Sequence, residues 1–385
     1  MLFRSHRTFI NRVPYGQNGK MADGCAPEWR AGQLDWTAWD KRFGGLFTGK
    51  AFEDLPRGAV PIESFYLPMH ENWPLPIDPN YNGSYWADQA FTPEYRDAWV
   101  SSVRQTMDHV QDRGWKETRF HVFLNNKNSF KANGWSRGSS PWLLDEPANF
   151  QDYIALRYFG LAYLEGVQQA ECMRSQKDRD PRDWQGVPRV VYRADISRPQ
   201  WQRDTLDEML QYNVVAGGAF KEYSRLVLDR KFRFGQEVVV YGSNNPVGTN
   251  NATAVAWSWD SWCNGVDGVL PWQTIGNSNS WTKGDELSLF YPSRDSKDPR
   301  PLPSIRLKAY CYGEQDVEVL KALAEKIGPD RYQFGRRLLK SLQFQSVDRA
   351  QGDYIEPASW SDYGRLTPEM LHAWRIQIMK LASAK

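Results

Sequence analysis

Trp142-Leu143-Leu144-Asp145-Glu146-Pro147 lies between a β-like apolar run at 118–124 and a long helical pattern at 149–177. Strand, loop and helix in that order form the unit of a parallel α/β sheet. Two adjacent carboxylates close the apolar run and stand directly before the helix. In barrels built from this unit, working groups sit at the C-terminal ends of the strands.

An acid pair alone carries little weight. With 46 acidic residues in 385, composition predicts about five or six adjacent pairs. Four occur: Glu53-Asp54, Asp145-Glu146, Asp207-Glu208 and Asp285-Glu286. Glu53-Asp54 and Asp285-Glu286 fall in loops beside glycine or proline. Asp207-Glu208 lies in Thr205-Leu206-Asp207-Glu208-Met209-Leu210, which reads as the solvated face of an amphipathic helix. Only Asp145-Glu146 combines an apolar approach with a following helix.

Outward from this stretch the alternation continues. Further β-like runs are expected at 7–13, 61–67, 189–195, 213–216, 237–241 and 266–272. Helical patterns are expected at 93–113, 200–212, 219–232, 252–264 and 303–327. No Gly-x-Gly-x-x-Gly fingerprint follows a strand, which disfavours a dinucleotide fold. The expected fold is α/β, a (β/α)8 TIM-type barrel over 1–330, with a C-terminal helical extension over 331–385 packed on it. Thr367-Pro368-Glu369 should open the last helix of that extension. Seven strands are counted. The barrel is therefore expected to lack its first β/α unit, unless a further strand lies within 29–60.

Composition narrows the function. The 48 basic and 46 acidic residues leave a formal net charge of +2. They are interspersed, so no nucleic-acid partner is expected. No apolar run approaches the ~20 residues of a membrane span. Met1-Leu2-Phe3-Arg4-Ser5-His6-Arg7 lacks a signal-peptide core. Cys25, Cys172, Cys263 and Cys311 lack metal-ligand spacing and the five histidines are unclustered, so neither a metal nor a cofactor is expected.

The chain has 18 Trp and 18 Tyr, many beside Asn, Asp and Gly at the ends of apolar runs. Flat apolar rings with polar groups at their edges suit the C–H faces and hydroxyl fringe of a carbohydrate. Strand-end positions nominate His70, Asn125, Asp195, Tyr241 and Trp272 as substrate contacts, and Trp142 borders the acid pair. Trp272 and Trp281 flank the loop Gly276-Asn277-Ser278-Asn279-Ser280, which could cover the mouth. Trp257, Trp259 and Trp262 have helical spacing and read as packing. Asp195 either meets a sugar hydroxyl or pairs with Arg193 or Arg198. Arg306 should hold the last barrel helix.

Three segments resemble the catalytic domain of glycoside hydrolase family 123, a group containing β-N-acetylgalactosaminidases. They are the 142–147 stretch; Gly265-Val266-Asp267-Gly268-Val269-Leu270-Pro271-Trp272; and a series from Gly284-Asp285 through Tyr291-Pro292 and Pro303-Ser304-Ile305-Arg306-Leu307 to Gly313-Glu314-Gln315-Asp316-Val317-Glu318. One departure is Cys311-Tyr312-Gly313, where the family usually reads Arg-Asp-Gly. The resemblance implies a retaining, substrate-assisted hydrolase that removes a terminal 2-acetamido sugar, with β-N-acetylgalactosamine first in line. It is consistent with export. Glu146 would be the general acid, and Asp145 would orient the acetamido group. A tyrosine would hold the acetamido oxygen, with Tyr241 the first candidate and Tyr192 the second. Two alternatives stay open. One is a glycosidase for a non-acetamido sugar, with Asp195 or Glu71 as a separate second carboxylate. The other is a non-catalytic carbohydrate-binding barrel.

Overall fold

The structure, a computed structural model, describes residues 21–125, 141–175, 186–242, 250–272, 274–282, 288–327, 330–342, 347–349, 360–363 and 365–384. It opens on a small antiparallel hairpin, β1 (Glu28–Arg30) on β2 (Gln33–Asp35), followed by α1 (Thr37–Phe47). Neither hairpin strand joins the main sheet. The segment 29–60 therefore supplies a helix and a side hairpin, not a barrel strand. The reason is aromatic: Trp39 and Phe47 of α1 are buried against Phe65, Trp115 and Phe120. Each ring buried in this way contributes roughly 1.5–3 kcal/mol. The expected strand at 7–13 lies outside the described residues.

The main sheet has six parallel strands in chain order. They are β3 (Ser64–Tyr66), β4 (Arg119–Phe123), β5 (Arg189–Ile196), β6 (Tyr212–Ala216), β7 (Glu237–Gly242) and β8 (Gly268–Pro271). Together they form a curled half-barrel. Among the described residues the sheet stops at six strands, short of the eight of the expected barrel. All six fall within runs marked out by sequence, apart from shifts of one or two residues at the ends.

Helices cover the outer face: α2 (Pro93–Asp112), α3 (Phe150–Gln169), α4 (Gly217–Phe234), α5 (Ala252–Cys263) and α6 (Ile305–Ile327). Their starts are chemically legible. Thr92 caps α2, with Pro93 at its first position. Asn149 and Asp152 form a capping box on α3. Trp257, Trp259 and Trp262 of α5 are buried packing residues, as their spacing indicates. A Cβ on Gly313 of α6 would come within 2.7 Å of Ser258 Oγ on α5. The Cys311-Tyr312-Gly313 departure thus sits at a close helix–helix contact.

The expected helix at 200–212 is corrected. Only Pro199–Gln202 makes a helical turn; tighter turns follow, and β6 begins at Tyr212. Arg230 of α4 reaches into this segment, donating to the carbonyls of Pro199 and Arg203 and pairing with Asp207 at 3.2 Å. A buried guanidinium satisfies oxygens that a helical ladder would otherwise use. Asp207-Glu208 is therefore not the solvated face of a helix, and Glu208 takes a left-handed φ of 69°.

Beyond the sheet, α7 (Arg331–Ser341) and α8 (Pro368–Ser383) lie against α5 and α6. Thr367 caps α8, as its sequence indicates. Arg375 pairs with buried Asp316 at 3.0 Å, and Tyr363 donates to Asp260 at 2.7 Å. Among the described residues, no helix is long and apolar enough to cross a membrane.

Candidate active site

Period-two alternation divides β5 between two surroundings. Tyr192 points outward, buried, with its hydroxyl donating to Leu156 O of α3 at 2.7 Å and its ring stacked on Tyr163. Arg193 and Asp195 point the other way. There Arg193 lies 4.2 Å from the Phe123 ring centroid on β4 and 5.8 Å from that of Tyr212 on β6. Tyr192, the second candidate for the acetamido contact, is thus in the helix layer.

The loop before α3 crosses the C-terminal ends of these strands. Three interactions place it. The Asp152 carboxylate accepts the amide protons of Leu143, Ala148 and Asn149 at 3.0, 3.0 and 3.1 Å, which ties down both flanks of the acid pair. The Glu146 amide donates to the main-chain oxygen of Asp195 at 3.1 Å. Arg198 reaches the Glu146 carbonyl at 3.4 Å.

Glu146 has a φ of 61°. A side chain other than glycine in this region costs about 1–3 kcal/mol, and such strain gathers at functional sites. The turn brings the half-buried Glu146 side chain to Tyr241 at the end of β7, whose hydroxyl donates to Glu146 Oε1. Burial first, then the charges of Glu146, Asp195 and Asp145, hold the Tyr241 phenol well above its ordinary pKa. Tyr241 is therefore a neutral donor facing three carboxylates. Asp145 is 5% exposed.

Asp195 is held at both carboxylate oxygens. Arg193 Nε and Nη2 donate to its Oδ1 and Oδ2 at 2.7 and 2.8 Å, a two-pronged pairing. Burial lowers the Arg193 guanidinium pKa, but the Asp195 carboxylate outweighs it and the net shift is upward. Of the two sequence readings of Asp195, pairing with Arg193 is present.

The other expected contacts divide. Trp272 is 43% exposed beyond β8, and its amide bonds to Gly242 O at 3.0 Å, next to Tyr241. It lies part-exposed at the C-terminal end of the sheet. Trp281 is half-buried, with Nε1 donating to Pro292 O at 3.0 Å and its ring against Tyr291 and Arg294. Ser280, in the loop between the two tryptophans, is buried and lies 2.9 Å from Ser288 Oγ. Trp142 is fully buried between Tyr81 and Phe91, with Nε1 donating to Tyr85 O. No face of it is open to a ligand in this conformation.

His70 is buried in the turn after β3, where Nδ1 accepts the Asn72 amide at 3.0 Å. Burial pushes its pKa down to about 3, so the ring is neutral. Asn125 is half-buried two residues past β4. Arg306 is buried and bonds to Tyr291 Oη at 2.8 Å, consistent with a role in holding α6.

Sequence reasoning missed Asp152, although the capping-box spacing Asn149-x-x-Asp152 is readable. Among the described residues, no group of three or more His, Cys, Asp or Glu could hold a metal ion.

In a comparison with solved structures, the chain is similar to a family 123 glycoside hydrolase from Clostridium perfringens, from a structural analysis of glycolipid glycan hydrolysis. The TM-score is 0.49 and the identity 13%, over 91% of this chain and 55% of that one. The chain thus spans about half the length of that structure. Its family is the one the sequence segments resemble. No family model and no curated protein matches the chain.

Proposed function

We propose that this chain is a glycoside hydrolase that removes a terminal 2-acetamido sugar, β-linked N-acetylgalactosamine first among them, on a (β/α)8-type scaffold. The observation that carries the reading is the meeting of Glu146, Asp145 and the neutral Tyr241 phenol at the strand ends. Glu146 gives its proton to the glycosidic oxygen as the bond to the anomeric carbon breaks. The acetamido oxygen of the substrate attacks that carbon, forming a cyclic oxazolinium ion. Asp145 orients the acetamido N–H and balances the developing charge. Water then opens the ring and returns a proton to Glu146, with retention of configuration.

Tyr241 has one proton to donate. In the described state it goes to Glu146; with substrate bound it goes to the acetamido oxygen. Trp272, part-exposed beyond β8, is the candidate aromatic contact for the sugar. His70, Trp142 and Tyr192, which are buried, are assigned no contact with the sugar, while Asn125 and Trp281 stay candidate contacts.

The two-carboxylate alternative needs Asp195 or Glu71 to accept a proton or bond to carbon. Both Asp195 oxygens already accept from Arg193, so neither is free of a partner for attack at carbon. This counts against Asp195 as the second carboxylate and leaves Glu71 for that alternative.

The test is nitrophenol release from the β-N-acetylgalactosaminide, the β-N-acetylglucosaminide and the β-galactoside, with Glu146→Gln as control. Cleavage of acetamido substrates alone supports the reading, with Glu146→Gln losing far more activity on a poor aryl leaving group than on the nitrophenyl one. Cleavage of the galactoside at a comparable rate, or sugar binding with no cleavage, overturns it in favour of the two-carboxylate or the binding reading.

A further inference from the structure

Arg193 is 3% exposed and lies one inward-facing position deeper on β5 than Asp195. A buried ion pair of this kind contributes little net stability compared with an apolar pair of the same volume. Its effect here is geometric. The guanidinium is packed against Phe123 and grips both Asp195 oxygens. Asp195 in turn offers its main-chain oxygen to the Glu146 amide. The connection from Arg193 to Glu146 thus passes through one residue, held by directed bonds at each step.

We propose that Arg193 is a positioning residue for Glu146. By clamping Asp195 it fixes the carbonyl to which Glu146 is tied, and it occupies both Asp195 carboxylate oxygens so that Asp195 acts as neither base nor nucleophile. The kinetic half of this claim rests on the reading of Glu146 as the acid; the structural half does not.

The experiment compares Arg193→Lys, Arg193→Met and Asp195→Asn in the full chain, with two readouts. The first is kcat/KM on N-acetylgalactosaminides with a poor (methoxyphenyl) and a good (dinitrophenyl) leaving group. Only the poor leaving group depends strongly on a well-placed acid. Arg193→Met should lose roughly ten- to a hundredfold more on it than on the good one, and Arg193→Lys should recover part of the difference. The second is hydrogen exchange over 142–149, read by mass spectrometry. Protection there should fall in Arg193→Met and less in Arg193→Lys, while 93–112 stays unchanged.

Equal loss on both leaving groups together with unchanged protection of 142–149 overturns the proposal. So does azide rescue of Asp195→Ala, which would make Asp195 a base or nucleophile. If the wild type cleaves no glycoside, the functional reading fails, and the exchange data still decide whether Arg193 positions the loop. If Arg193→Met does not fold, Arg193→Lys and Asp195→Asn carry the same two readouts.

Discussion

Tyr241 and Glu146, 95 residues apart in sequence, meet through a hydrogen bond from the phenol to the carboxylate. One stands at the end of β7. The other is held over the end of β5 in a left-handed backbone conformation. Tyr241→Phe should reduce kcat on an acetamido substrate by roughly a hundredfold. Affinity for a thiazoline that mimics the cyclised intermediate should fall in step with kcat/KM. Full thiazoline affinity in this variant would remove Tyr241 from the acetamido site.

The backbone at Glu146 separates stability from activity. Glycine adopts a φ of 61° without strain. Glu146→Gly should therefore leave the thermal midpoint unchanged or raised by about 2 °C, with activity on poor leaving groups gone. A fall of several degrees would mean that the carboxylate serves the fold.

Asp152 is expected to matter to the loop more than its place in a helix suggests. Its carboxylate accepts three main-chain amides and completes the cap of α3. Asp152→Ala strands those donors and should cost about 2–4 kcal/mol, with Asp152→Asn intermediate. Urea unfolding of the variants checks this; a loss under about 0.5 kcal/mol would show that other groups satisfy the loop.

His70 gives a pH dependence of definite sign. Its folded pKa is depressed to about 3 by burial, against about 6.5 in the unfolded chain. Between those values the unfolded chain binds the proton and the folded one does not. The stabilisation is complete above pH about 6.5 and is lost progressively as pH falls to about 3. His70→Asn, whose amide oxygen can still accept the Asn72 N–H, should flatten this slope. Denaturation of both proteins at pH 7 and 4.5 compares them; parallel losses would exclude His70 as a source.

The C-terminal helices should be part of the same folding unit as the half-barrel. Arg375 of α8 neutralises Asp316, which is buried in α6 and also accepts from Trp259 Nε1 at 3.2 Å. Arg375→Leu leaves that charge buried without its cation and should cost about 3–5 kcal/mol. A single transition, lowered as a whole in calorimetry, is expected. Separate melting of an unaffected sheet portion would show an independent extension.

Much of this was legible in the chain. Apolar runs located all six parallel strands, and Thr92-Pro93, Asn149-x-x-Asp152 and Thr367-Pro368 mark three helix starts. These are local signals, set by propensity and by cap chemistry within a few residues. The helix expected at 200–212 stops after one turn, where Arg203 takes a φ of 49° and gives its carbonyl to Arg230, distant in sequence.

Sequence by itself determined that the backbone would alternate strand and helix, and that Asp145-Glu146 would follow a strand and precede a helix. It also named Tyr241 and Asp195 as strand-end residues. Beyond Trp257, Trp259 and Trp262, whose helical spacing already marked them as packing, tertiary structure decided which aromatic rings were buried. Trp142 packs against Tyr81 and Phe91 and Tyr192 against α3, while Trp272 is part-exposed, because a ring's surroundings depend on what folds over it. Tertiary structure also decided that Asp195 faces Arg193 and that Tyr241 reaches Glu146. Curling of the sheet brings β5 and β7 to one mouth, and charges separated along the chain acquire partners only once that curvature sets the distances between them.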